Sequence, residues 1–163
     1  MAEKMTIKPY EEKYKEDIAS LILNIQNNEF NVRVTLNDQP DLLDIQNFYF
    51  KNNGGFWLAI ENEKLIGTIA LIDIRGGQAA LRKMFVHADY RGKEKAIGQS
   101  MLNYLIDWCK LKSITEIYLG TVQQLLAAKR FYTKNGFEKI EKNSLPKNFP
   151  LMQVDTEFFK LKF

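Results

Sequence analysis

"VHADYRGKEKAIGQSML", residues Val86–Leu102, joins two kinds of pattern. Before it lies the apolar run "AALRKMFVH". After it, Ile97, Met101, Leu102, Leu105, Ile106 and Cys109 fall on one face of a helix predicted from Ala96 to Lys112. A strand that runs through a basic, glycine-bearing loop into a helix belongs to an α/β chain. It is also the setting of an anion site, because a helix start carries unpaired N–H groups and partial positive charge. The Walker A pattern fails, since Gly92 and Gly98 are one residue too far apart and Gln99 replaces the lysine. The dinucleotide pattern G-x-G-x-x-G fails as well. What remains is an anion site at the helix start or a plain solvated loop with charged residues. Ala96, Ile97, Gly98 and Gln99 are expected in the first turn, with Arg91, Gly92, Lys93 and Lys95 in the loop.

Working outward, "MTIKPY" predicts a first strand ended by Pro9. Tyr14, Ile18, Leu21, Ile22 and Ile25 predict an amphipathic helix, and "PDLLDIQNFYF" a second one with Pro40 near its start. "GFWLAIE" and "LIGTIALIDI" flank a short turn and predict a hairpin, which "RGGQ" continues into "AALRKMFVH". After the helix at Ala96–Lys112, "ITEIYLGT" reads as a buried strand. "VQQLLAAKRFYTKNG" is a helix stopped by Asn135 and Gly136. "FEKIE" and "VDTEFFKLKF" are strands on either side of the loop "NSLPKNFP". The order β-α-α-β-β-β-α-β-α-β-β, with no linker or repeat, predicts one α/β domain over residues 1–163.

Composition narrows the function classes. The chain has 163 residues, enough for a sizeable core, and 45% of them are hydrophobic. A formal net charge of +3 is too small and scattered to argue for nucleic acid. Cys109 is the single cysteine, which excludes an internal disulfide and a cysteine-based zinc site; with His87 the single histidine, no metal is expected. The charged start and the lack of an apolar run of ~20 residues predict a soluble cytoplasmic protein with no membrane partner.

The loop and its flanks resemble the GNAT superfamily of acyl-CoA-dependent N-acetyltransferases. The resemblance rests on "LRKMFVHADYRGK" with the helix after it, and on "AAKRFYTKNGFEKI". It is close over Ala80–Ile140, while the first half matches in element order. This chain departs from the family pattern at several places. Ala96 takes the position of the first loop glycine, Ala88 replaces a common proline, the loop aligned on Arg91 is longer, and Leu125 replaces a common asparagine.

The resemblance implies a GNAT-like fold: a mixed, mostly antiparallel sheet of about seven strands flanked by about four helices. It implies acetyl-CoA as co-substrate, with pantetheine on the open backbone edge of Met84, Phe85 and Val86 and the pyrophosphate on Arg91–Gly98. An amine would attack the thioester directly. Tyr132, at the family's tyrosine position, would protonate the leaving thiolate, and a backbone N–H near Val86 would polarise the carbonyl. The acceptor, a small-molecule or peptide amine, is expected against Glu29, Phe30, Arg33 and Trp57. The general base stays open among His87, Glu29 and Asp73. Cys109, on the apolar face of its helix, reads as core. The end of the chain is expected to close the other wall of the site or to form the edge of a homodimer. A catalytically silent acyl-CoA-binding module on the same fold is the alternative.

Overall fold

A computed structural model describes residues 5–92, 96–152 and 154–163. Its centre is a seven-stranded sheet in the order β1-β2-β3-β4-β5-β7-β6. The strands are β1 (Thr6–Pro9), β2 (Gly55–Glu61), β3 (Lys64–Arg75), β4 (Gln78–Val86), β5 (Glu116–Thr121), β6 (Glu138–Ile140) and β7 (Glu157–Lys162). All neighbours are antiparallel except β4 and β5. That parallel pair needs a crossover, and the helix predicted at Ala96–Lys112 supplies it as α4 (Ile97–Leu111). Among the described residues no helix is long and apolar enough to cross a membrane.

Five α-helices cover the two faces of the sheet. α1 (Lys15–Leu23), α2 (Pro40–Leu43) and α3 (Ile45–Tyr49) lie on one face, and α4 and α5 (Leu126–Lys134) on the other. The predicted helix at "PDLLDIQNFYF" is broken in two. Asp44 takes an extended φ of −149° there, and its Oδ2 accepts from the Asn47 side chain at 3.0 Å. Short acidic side chains compete with helical backbone in this way. After α1 the chain continues as a π-helical segment, Asn24–Glu29. "VDTEFFKLKF" starts as a turn, and the strand begins only at Glu157.

The apolar stripe of α4 explains its hold on the sheet. Met101, Leu102, Leu105 and Cys109 are fully buried against Ile66, Ile69, Leu71 and Leu119. Each large apolar side chain buried this way contributes about 1.5–3 kcal/mol. The helix start is therefore fixed against the end of β4. On the opposite face Ile18, Ile22, Leu42, Ile45 and Tyr49 pack on Phe56, Leu58 and Ala70.

Two backbone features position the site. β4 pairs with β5 only at Gln78–Glu116, Ala79–Ile117 and Ala80–Tyr118. From Leu81 onward its edge towards β5 has no strand partner, and the two strands open into a gap. The second feature is a bulge. Between Thr68↔Phe85 and Ala70↔Arg82, β4 carries one residue more than β3. Lys83 takes φ +49° in this bulge, and the Thr68 hydroxyl donates to its displaced carbonyl at 2.6 Å. Two adjacent charged residues inside an apolar strand were the trace of this bulge in the sequence.

Candidate functional site

Three predicted regions meet at the strand gap: the edge of β4, the start of α4 and Tyr132 of α5. Met84 and Val86 face α4, where the missing side chain of Gly98 points at them. A Cβ built on Gly98 would lie 3.5 Å from Met84 Cε, 3.8 Å from Val86 Cγ2 and 4.0 Å from Phe131 Cζ. Gly98 thus lets the start of α4 lie close to the edge of β4, with room for little more than a methyl group between them. Phe85 points to the other face of the sheet, against the core of α1–α3.

The start of α4 supports the anion reading with one correction. The first helical bond runs from Ser100 N–H to Ala96 O at 2.9 Å, so the N–H groups of Ile97, Gly98 and Gln99 precede the ladder and point outward. Ala96 lies just before the helix rather than in its first turn. Its N–H is used by Gly92 O at 3.1 Å, and its φ is +48°. That left-handed conformation is the one glycine tolerates and alanine does not. Ala96→Gly is accordingly expected to raise stability by up to about 1 kcal/mol, read as a shift in urea midpoint. Lys93 and Lys95 lie outside the described residues.

Arg91 is already engaged. Its guanidinium makes a two-pronged pair with Glu29 at 2.6 and 3.1 Å, and its Nε donates to Val86 O at 2.8 Å. The ring of Phe30 lies 5.7 Å from the guanidinium carbon. Glu29 and Phe30, read as acceptor residues, therefore meet the loop at the end of β4. Arg33 is exposed and joins none of these contacts among the described residues.

Tyr132 is buried among Phe131, Phe137 and Phe159. Its hydroxyl donates to Met84 Sδ at 3.9 Å, which places it at the β4 side of the gap. Burial, with the charge of Asp155 adding, pushes its phenol well above the usual range. The group therefore stays protonated at neutral pH.

The other candidates fall away by geometry. His87 Nδ1 accepts from Asp89 N–H at 3.1 Å and its own N–H donates to Ile66 O at 2.8 Å, so it shapes the turn after β4. Asp73 holds a turn by accepting from the N–H groups of Asn53 and Arg75 at 3.1 and 2.8 Å. Trp57 is buried under α4 against Trp108 and Tyr104, on the face opposite α1–α3. Cys109 is buried, and desolvation pushes its thiol up to about 12, so it is no nucleophile.

Sequence reasoning missed a charged group on the face of α1–α3. Lys83 is 9% exposed, donates to Gln39 Oε1 at 2.5 Å and lies 3.6 Å from Asp41. Arg82 lies 4.0 Å from Asp41 and donates to Met152 Sδ at 3.3 Å. The Tyr49 hydroxyl donates to Asp41 Oδ2 at 2.5 Å. Burial lowers Lys83 to about 8, against the pull of Asp41. The bulge directs Lys83 to the same face as Arg82, which strict alternation would not.

Comparison with known proteins shows the family and the fold. The family model described as "Acetyltransferase (GNAT) family" matches residues 20–137. An acetyltransferase of the GNAT family from Staphylococcus aureus is 41% identical with a TM-score of 0.94, over 98% of this chain and 99% of that one. N-acetylaspartate synthetase of Xenopus tropicalis is 34% identical over 109 residues, 63% of this chain and 38% of that protein. The chain thus spans well under half of that relative. N-acetylglutamate synthase of Neisseria gonorrhoeae, solved with coenzyme A and N-acetyl-glutamate, shares the fold. It is 12% identical with a TM-score of 0.75, over 98% of this chain and 35% of that one.

Proposed function

The chain belongs to the GNAT acetyltransferase family, and from that premise we propose that it moves an acetyl group from acetyl-CoA to a primary amine of a small molecule or peptide. The observation that carries this reading is the gap between β4 and β5, with a strand edge that has no strand partner among the described residues, helix N–H groups ahead of the first helical bond and a protonated phenol around it. The edge of Met84, Phe85 and Val86 would pair with the extended pantetheine arm, as a strand would. Gly98 keeps side-chain bulk away from that edge. The N–H groups of Ile97, Gly98 and Gln99 would take the pyrophosphate, helped by the Arg91–Gly98 loop. Arg91 would then choose between Glu29 and phosphate.

Acetyl-CoA supplies an activated acetyl group; the chain supplies orientation and protons. Free N–H groups at the β4 edge would polarise the carbonyl. Tyr132, beside Met84, would protonate the sulfur as it leaves.

Amino acids are the first acceptor class to test. The amphibian relative is named for N-acetylaspartate synthesis, and the Neisseria neighbour was solved with N-acetyl-glutamate. Incubation of the protein with acetyl-CoA and a panel of amino acids, polyamines and short peptides, with thiol release as readout, is expected to show turnover for at least one class. Binding of CoA with no turnover for any amine would favour the silent binding module.

A further inference from the structure

The mouth of the strand gap holds a carboxylate that no feature of the loop motifs points to. Asp155 ends the segment that leads into β7. Its side chain lies directly on Gly120 of β5, where a Cβ would meet Oδ2 at 2.4 Å and Cγ at 2.9 Å. Gly120 lies beyond Ala80↔Tyr118, the last pair between β4 and β5, so the carboxylate covers the face of β5 at the mouth of the gap, on the side of Tyr118. The segment is pinned there. Asp155 N–H donates to Met152 O at 3.2 Å and Thr156 N–H to Thr121 O at 2.9 Å. Phe149 is buried with Tyr118 and Phe158.

The groups around Asp155 come from three elements. Arg82 and Lys83 face it from β4 and act on its charge, yet both are engaged with Asp41 behind them. Tyr132 feels its charge from α5. A carboxylate at the mouth of the gap, close enough for its charge to act on the proposed acid, is placed to meet an incoming cation.

We propose that Asp155 is the base of the reaction: at the mouth of the strand gap its carboxylate receives the acceptor's ammonium group and removes one proton from it. This rests on the acetyl-transfer reading above and adds the acceptor's seat. One proton passes from the ammonium nitrogen to the Asp155 carboxylate. The freed lone pair forms the N–C bond to the thioester carbonyl carbon, and the C–S bond breaks with its electron pair on sulfur. Tyr132 gives its hydroxyl proton to that sulfur, and the phenolate recovers a proton from the acylated nitrogen. Asp155 returns its proton to water.

Burial raises Asp155 from the ordinary 3.8 to about 6, with Arg82 and Lys83 opposing the rise. The base form therefore prevails above pH 6, and acceptor kcat/KM is expected to fall below it. Lys83, lowered to about 8, keeps its charge through that window. The stability sign follows from the same shift. A carboxylate whose folded value exceeds its unfolded one binds protons on folding, so its charge destabilises the fold above pH 6 and has no effect below both values. Asp155→Asn is thus expected to melt higher than the wild type at pH 7.5, with the gain fading as pH falls towards 4. A carboxylate that held the fold together would give the opposite sign.

The test compares wild type and D155N with the amino acid that gives the fastest thiol release, and with an alkoxyamine that is uncharged at neutral pH. With the amino acid, D155N is expected to lose about 100-fold in kcat/KM at pH 7 and to recover as pH rises and the free amine forms. With the alkoxyamine it is expected to stay near the wild-type rate, because no proton need be removed before attack. CoA affinity is expected to be unchanged. Equal losses with both amines, or a D155N that is as active as wild type, overturn the proposal alone. A wild type inactive with every amine overturns the acetyl-transfer reading together with it.

Discussion

Tyr132→Phe is expected to lower acetyl-transfer turnover by about 10²–10³-fold while CoA binding and the fold stay intact. The ring contacts with Phe131, Phe137 and Phe159 do not involve the hydroxyl. The hydroxyl's partner, Met84 Sδ at 3.9 Å, is a weak acceptor, so its loss should cost at most about 1 kcal/mol of stability. What the variant does lose is the phenolic proton beside Met84, held in place at neutral pH because burial keeps the phenol above its usual range. A thioester whose thiol leaves without protonation, such as an aryl thioester, should recover most of the rate. Turnover equal to wild type on acetyl-CoA would remove Tyr132 from the mechanism.

The second large effect is expected from Gly98→Glu: a CoA dissociation constant weaker by about 100-fold, or roughly 2.7 kcal/mol. The seam beside Gly98 has room for one Cβ at ordinary contact distance from Met84, Val86 and Phe131, and a longer side chain would reach over the edge of β4 where the ligand is proposed to lie. A carboxylate at this position also competes with phosphate for the same N–H groups. The folded state should not suffer, because an acidic residue in the first turn of a helix interacts favourably with its dipole. Gly98→Ala, which adds one contact of about 3.5 Å, should weaken binding far less. Loss of melting temperature in parallel with loss of affinity would mean that Gly98 serves packing. Titration of CoA into each variant, with thermal melts alongside, separates the two.

The parts of this molecule that follow local rules were legible in its sequence. The apolar stripe from Ile97 to Cys109 predicts α4, and the alternation of short apolar runs with turn residues predicts the order of elements along the chain. The helix start beside a basic loop is legible as a candidate anion site. Tyr132 was legible because one helix carries it in a recognisable context. What escaped depended on distant partners or on single backbone angles. The Asp44 break follows from one extended φ, which propensity averaged over eleven residues hides. The Lys83 bulge breaks the period of two that assigns faces, so Arg82 and Lys83 could not be placed together from their spacing. Gln39 meets Lys83 and Asp155 meets Gly120 across long stretches of chain, contacts to which periodicity carries no signal. The acceptor side is expected along "NNEFNVRVTLNDQP", and the contacts of Glu29 and Phe30 with Arg91 are long-range ones of the same kind.

The account rests on the unpaired edge of β4 being the seat of acetyl-CoA. Amide hydrogen exchange, residue by residue, with and without CoA tests this directly. The amides from Met84 to Val86 and from Ile97 to Gln99 should gain protection on CoA addition, while β1 and β2 should not change. Binding of CoA with no added protection along β4 or at the start of α4 would contradict it.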